Sequence, residues 1–220
     1  MIIYGLMKFI ENIPARYDTM MTWLALGGNV KTRKAVLKKV QKNMKVLDIG
    51  CGTGSFLIEA AKKGAVCSGL DSSAPMLDVF ESKLSSGDQS IRSSIRIENK
   101  SVSLISKAFQ GEKFDLINCS LVLGELPDIV LNSVLSQIPA LLSENGRFMI
   151  SDELWPENTI SGLFCNAFFA MTFVPNFILT RTLIRPVKNL SEKLESHGLK
   201  IVSRREFALG FVSLLEVAKK

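Results

Sequence analysis

The stretch Val46-Leu47-Asp48-Ile49-Gly50-Cys51-Gly52-Thr53-Gly54 constrains this chain more than any other part of it. Val46, Leu47 and Ile49 read as a short buried strand, three alternate glycines follow, and the residues from Ser55 onward have helical character. Glycines at such a junction let the backbone turn sharply and let a ligand lie against the main chain. The helix that follows presents unpaired N–H groups at its first turn. A second apolar run, 65–70, ends at Asp71, 17 residues after Gly54. A carboxylate at that point is placed to accept both hydroxyls of a ribose.

Two kinds of nucleoside ligand compete for this unit. A dinucleotide fingerprint, Gly-x-Gly-x-x-Gly, needs its third glycine at 55, but Ser55 stands there and the glycine comes one place early, at Gly54. Asp48 also precedes Gly50 by two residues, and its charge opposes a pyrophosphate. A carboxylate there suits a nucleoside that carries an amino acid, a positive charge and no phosphate. That description fits S-adenosylmethionine.

The rest of the chain alternates strands and helices. Helices are expected over 30–45, 55–63, 74–84, 129–142 and 190–197, with a poorly formed one over 102–109. Strands are expected over 45–49, 65–70, 95–98, 114–119 and 147–151, and a closing hairpin over 200–207 and 211–218 turning at Leu209-Gly210. Such alternation implies right-handed βαβ units and a parallel sheet covered on both faces. The expected fold is therefore α/β: a Rossmann-like, doubly wound, seven-stranded, mostly parallel sheet with a terminal antiparallel hairpin. We read one domain over 1–220, with an N-terminal helical cover (1–45), a cofactor-binding core (46–152), an apolar insert (153–190) and a final helix and hairpin (191–220).

Composition removes several alternatives. A chain of 220 residues with 47% hydrophobic and 22% charged content has ample material for a core and is not disordered. Its four cysteines, Cys51, Cys67, Cys119 and Cys165, show neither zinc-site nor disulfide spacing and fit a reducing, cytoplasmic setting. No metal site is expected, and a single histidine, His197, leaves little room for a histidine-built one. His197 itself stands at a helix end before Gly198, a routine capping position. The first ten residues lack the basic start and small-residue cleavage site of a signal peptide.

The block 46–54, Asp71 after the second strand, Phe114-Asp115 opening the fourth, and Asn145-Gly146-Arg147 before the fifth resemble the class I S-adenosylmethionine-dependent methyltransferases. Arg16-Tyr17-Asp18, Asp152-Glu153 and the run TRTLIRPVKNL at 180–190 resemble, more narrowly, the corrinoid-protein-associated methyltransferases, which lie close to the quinone-type small-molecule enzymes. The resemblance implies roles by position. Gly50, Cys51, Gly52 and Gly54 would cradle the methionine end of the cofactor with Asp48 beneath. Asp71 would hold the ribose with Ser72 beside it, and Tyr17 would fold over the top. Ser101 and Val102 occupy the adenine position, where many relatives carry an acid that this chain lacks. Cys119 and Ser120 would face the sulfonium.

Methyl transfer from an activated sulfonium needs chiefly alignment and exclusion of water, and a base only where the acceptor must lose a proton. Glu125, Asp152 and Glu153, after the fourth and fifth strands, are the candidates, each of which also has an ordinary reading as a capping or surface carboxylate. The sequence Asn118-Cys119-Ser120-Leu121-Val122 lacks the features of enzymes that methylate nucleic-acid bases. The lysine-rich face of 31–45 has no interleaved aromatics, so it reads as a solvated face or a surface for an anionic partner rather than for nucleic acid.

Residues 163–180 hold Phe164, Phe168, Phe169, Phe173 and Phe177, five of the chain's 13 phenylalanines. Asn166, Pro175 and Asn176 interrupt the run, which makes a poor membrane span. Three readings stand: a lid over an apolar acceptor pocket, a homodimer or partner interface, or a peripheral membrane contact. The function expected is methylation of a non-nucleic, apolar or cofactor-like small molecule, with a possible corrinoid protein as partner. The alternative is a cofactor-binding regulatory partner of corrinoid methyl transfer with little catalysis.

Overall fold

The computed structural model describes residues 22, 27–152, 189–207 and 212–220. Tyr17, Glu153, Cys165, the phenylalanine-rich run and the Leu209-Gly210 turn lie outside the described residues.

In chain order the elements are α1 (Gly28–Leu37), β1 (Lys45–Ile49), α2 (Ser55–Lys62), β2 (Val66–Asp71), α3 (Ala74–Ser86), β3 (Ile95–Asn99), α4 (Ile105–Ala108), β4 (Phe114–Ser120), α5 (Asp128–Leu141), β5 (Leu142–Asp152), α6 (Leu190–Ser196), β6 (Leu199–Phe207) and β7 (Val212–Lys219). The sheet runs β3-β2-β1-β4-β5-β7-β6. Strands β1 to β5 pair in parallel, and β7 runs antiparallel to both β5 and β6. The strand order reverses between β1 and β4, where an open α/β sheet leaves a crevice for ligands.

Strand alternation divides the apolar residues into two layers. Leu47, Ile49, Ile117, Cys119, Phe148, Ile150 and Leu215 face α4, α5 and α6 and pack against Phe109, Leu131, Leu135, Ile138 and Leu194. Val46, Cys67, Leu116, Met149 and Leu214 face α1, α2 and α3 and pack against Val36, Leu57, Phe80 and Leu84. The central strands are buried on both faces, which is why they read as continuous apolar runs rather than alternating ones.

Two elements differ from the sequence expectation. The helix expected over 30–45 stops at Leu37, where Lys39 N donates to Val36 O at 2.9 Å and Val40 N to Leu37 O at 3.2 Å; further on, Asn43 takes a left-handed conformation (φ 65°) and donates its N–H to Gly64 O at 2.8 Å, fixing the turn that feeds β1. The fifth strand starts at Leu142, well before Asn145-Gly146. The pair therefore sits within an irregular strand: pairing passes from Phe114–Leu142 to Leu116–Arg147, so β5 advances five residues while β4 advances two. The excess is a bulge, the usual way a sheet absorbs turn-forming residues.

Candidate functional site

The glycine turn sits between β1 and α2, and its three glycines have different neighbours. A Cβ on Gly50 would lie 2.4 Å from Val122 Cγ2, and one on Gly54 would lie 2.1 Å from the ring of Phe80. Both are clashes with the protein's own side chains. Gly52 (φ 51°) has no heavy atom within 4 Å of where its Cβ would be, so it is the glycine that borders open space. Gly50 and Gly54 thus serve packing, and Gly52 leaves room for a ligand against the backbone.

Asp71 closes the turn from the second strand. Its Oδ2 accepts from Gly52 N at 2.8 Å and its Oδ1 from Ser73 N at 2.8 Å. Each oxygen keeps a second lone pair, which is what a ribose diol requires. The carbonyl of Asp71 accepts from Asn99 Nδ2 at 3.0 Å, tying β2 to the end of β3. Ser72, next in the chain, is exposed.

Beneath the turn, Asp48 is 4% exposed and accepts from Asn118 Nδ2 at 2.7 Å. Burial pushes its carboxyl from the ordinary 3.8 up to about 7, against the opposing pull of the Asn118 bond. The two residues are also register partners across β1 and β4. They border a cavity of about 110 Å³ lined by Asn29, Arg33 and Val36 of α1, Gly50, Cys51, Thr53, Ser55 and Phe56 of the turn and α2, Ser120 and Leu121 at the end of β4, and Ser151 of β5. Leu121 is held at φ 57°, a conformation uncommon for a leucine, and its N–H donates to Ser151 O at 2.7 Å.

The thiol of Cys51 is pushed up by burial and by the neighbouring Asp48 and Asp71 charges, and that of Cys119 by burial and by Asp152 and Asp48. Neither is a nucleophile near neutral pH. Ser101 caps the short 3₁₀ turn Val102–Leu104, its hydroxyl 3.0 Å from Ser103 Oγ, and Val102 packs onto the core. Ser101 and Val102 bring no carboxylate to the end of β3. Glu125 lies half-buried in a 3₁₀ turn after β4, while Asp152 is buried at the end of β5 with Oδ2 accepting from Gly124 N at 3.1 Å. His197 follows α6 as its C-cap, with Nε2 3.4 Å from Asn132 Oδ1.

The structure therefore brings together Asp48, Gly50, Cys51, Gly52, Asp71 and Ser120 at the switch point, and adds Asn29, Arg33, Asn118 and Ser151, to which sequence reasoning gave no place in the site. Asn118 carried a readable signal, a polar side chain inside an otherwise apolar buried strand. Ser151 carried none, because only the sheet order places it beside Ser120.

This donor set fits S-adenosylmethionine. Asp71, braced by the backbone, is a carboxylate able to accept from a diol, and Asp48 under the turn is one able to face a cationic group. Among the described residues, no cluster of His, Cys, Asp and Glu could hold a metal ion, and no helix is long and apolar enough to cross a membrane.

A family model described as a methyltransferase domain matches residues 40–192. The chain is 28% identical over 164 residues to the demethylmenaquinone methyltransferase of Lactiplantibacillus plantarum, covering 72% of this chain and 66% of that one. It is 36% identical over 111 residues to the ubiquinone biosynthesis O-methyltransferase of Pasteurella multocida, covering 49% of this chain and 45% of that one. The chain thus spans less than two thirds of the length of these relatives. Among solved structures it resembles the mitomycin 7-O-methyltransferase MmcR, with a TM-score of 0.66 at 15% identity over 97% of this chain and 60% of that one. It also resembles the glycopeptide N-methyltransferase MtfA in complex with S-adenosylmethionine, with a TM-score of 0.64 at 13% identity over 88% of this chain and 94% of that one. These likenesses show a shared fold. The sheet, the turn and the match over 40–192 agree: the chain belongs to the methyltransferase domain family, in its class I, S-adenosylmethionine-dependent branch.

Proposed function

We propose that this protein transfers the methyl group of S-adenosylmethionine to a quinone-type or hydroxylated-ring small molecule. The observation that carries the reading is the open Gly52 turn braced by Asp71, with buried Asp48 below it. S-adenosylmethionine supplies an electrophilic methyl group. The chain's own part is to hold the ribose hydroxyls on Asp71, to set a carboxylate under the cationic end through Asp48 and Asn118, and to shield the strand ends from water. The names of the relatives, one a demethylmenaquinone methyltransferase and one an O-methyltransferase of ubiquinone biosynthesis, support a quinone-type acceptor.

A corrinoid-linked acceptor rests on sequence resemblance at 16–18, 152–153 and 180–190, and the quinone reading has the firmer support. Turnover tests the proposal. Purified protein given S-adenosylmethionine and a reduced naphthoquinol or a catechol should release S-adenosylhomocysteine and a methylated ring. Tight binding of S-adenosylmethionine without release of S-adenosylhomocysteine on any acceptor would instead favour a binding partner with little catalysis.

A further inference from the structure

At the end of the sheet where the switch point opens, β5 finishes at Asp152 and β7 begins beside it. Asp152 and Ser213 are direct register partners. Strand alternation puts their side chains on one face, in line with Ile150 and Leu215, toward α5. Asp152 is 4% exposed and Ser213 fully buried. The carboxylate holds the loop after β4 through Gly124 N, and a Cβ on Gly124 would stand 3.1 Å from its Oδ1, so glycine there lets the loop close on the acid. Among the described residues Ser213 Oγ has no hydrogen-bond partner, and neither does Ser151 Oγ on the opposite face of β5. An interior hydroxyl left unsatisfied is rare enough to call for a partner that arrives later.

The location narrows what that partner is. Asp71 ends β2 on one side of the switch point, and Asp152 ends β5 on the other. The ribose half of a nucleoside on Asp71 leaves the β5 side for whatever receives the methyl group. Electrostatic reach agrees, since Asp152 acts on the thiol of Cys119 at the end of β4.

We infer that Asp152 and Ser213 form the binding pair for a hydroxyl group on the methyl acceptor: Ser213 Oγ donates to the acceptor oxygen and Asp152 takes its proton. This rests on the proposed function and names the feature of the acceptor that the protein recognises. The pair would serve transfer to oxygen, the chemistry named in one relative, and transfer to a ring carbon alike. In O-methylation the acceptor O–H bond breaks, the proton passes to Asp152, and the oxygen's electron pair forms the new bond to the methyl carbon. The electron pair of the broken carbon–sulfur bond stays on sulfur. In C-methylation the same loss of the hydroxyl proton pushes electron density to the ring carbon, which takes the methyl group. That carbon then releases its own hydrogen as a proton, and the ring oxygen recovers one from Asp152.

The test uses the full chain with catechol, 4-nitrocatechol and a reduced naphthoquinol as probes. Asp152→Asn keeps an oxygen for Gly124 N but removes the base. It should lower kcat on catechol about a hundredfold, and on the more acidic 4-nitrocatechol less than about tenfold, because that hydroxyl ionises without help. Ser213→Ala should raise the Kd of each acceptor, measured calorimetrically with S-adenosylhomocysteine bound, about tenfold. Both variants should keep the wild-type Kd for S-adenosylhomocysteine, which reports that they are folded. If Asp152→Asn fails this control, Ser213→Ala alone decides. If the wild type methylates catechol and either folded variant behaves like it, the pair is overturned while the methyltransferase reading stands. If the wild type neither binds nor methylates any hydroxylated ring, the acceptor reading falls and the pair with it.

Discussion

Asp48 is buried with one amide as its partner, and that arrangement should govern both stability and ligand affinity. Its carboxyl titrates near 7 in the folded chain rather than near 3.8. Between those two values the folded protein keeps the proton and the unfolded chain has lost it, so stability falls as pH rises through the window and levels off above about 7. At about 1.4 kcal/mol per pH unit, the part of the window above pH 5 corresponds to about 3 kcal/mol. Asp48→Asn removes the charge that must be buried, and the Asn118 amide can turn to keep a hydrogen bond. Urea unfolding of wild type and variant at pH 5 and pH 8 should therefore show the variant gaining about 3 kcal/mol on wild type between the two conditions. For a chain of this size that is about 6–12 °C in Tm. Other titrating groups cancel in the comparison. Ligand binding should respond the other way. A cationic cofactor requires the ionised carboxylate, so wild-type affinity for S-adenosylmethionine should rise with pH up to about 7 and then flatten, while the variant binds weakly at every pH. A stability gap of equal size at pH 5 and pH 8 would refute the reasoning, because Asp48 would then ionise alike in both states.

Other substitutions separate the remaining parts of the site. Asp71→Ala removes the acceptor for the ribose and also releases Gly52 N, and should weaken S-adenosylhomocysteine binding by about a hundredfold in calorimetry; unchanged affinity would remove the ribose assignment. Gly54→Ala drives a methyl group into Phe80 in a left-handed conformation and should cost about 3 kcal/mol of stability, part of it recovered in a Phe80→Leu background. Gly52→Ala should cost only about 1 kcal/mol by denaturant unfolding yet block cofactor binding; normal binding would show that the open space is not the cofactor's. Cys51, Cys67 and Cys119 are buried with raised thiol pKa values, so mass spectrometry should find them unmodified by iodoacetamide at pH 8 in the folded protein and alkylated in urea.

What was legible in the sequence was what local pattern encodes. Residues 46–54 and Asp71 specify a strand, a turn, a helix and a second strand within one contiguous βαβ unit, and the structure puts each there. The terminal hairpin was legible for the same reason. The length of β5 was not, because Asn145-Gly146 carries a turn signal that pairing with β4 overrides. The turn from α1 into β1 is held by Gly64, 21 residues away from Asn43. The electrostatics of the site were least legible. The sequence places Asp48 beneath the turn, but the rise of its carboxyl appears only once burial and Asn118, 70 residues on, are in place. The hydrogen bond from Gly124 to Asp152 likewise exists only once β4 and β5 are side by side, and Ser213 meets Asp152 only once β7 joins β5.

The division of labour within the glycine turn bears on how such a chain would age if its chemistry were abandoned. A lineage that lost the cofactor would no longer need the emptiness above Gly52, and drift could fill it with a side chain at small cost. Gly54 would be retained, because Phe80 beneath it belongs to the interior and not to the reaction. The two glycines thus keep separate records. A descendant that holds Gly54 but not Gly52 would be a folded fossil of a methyltransferase, while the loss of Gly54 would mark a chain whose core had been rebuilt.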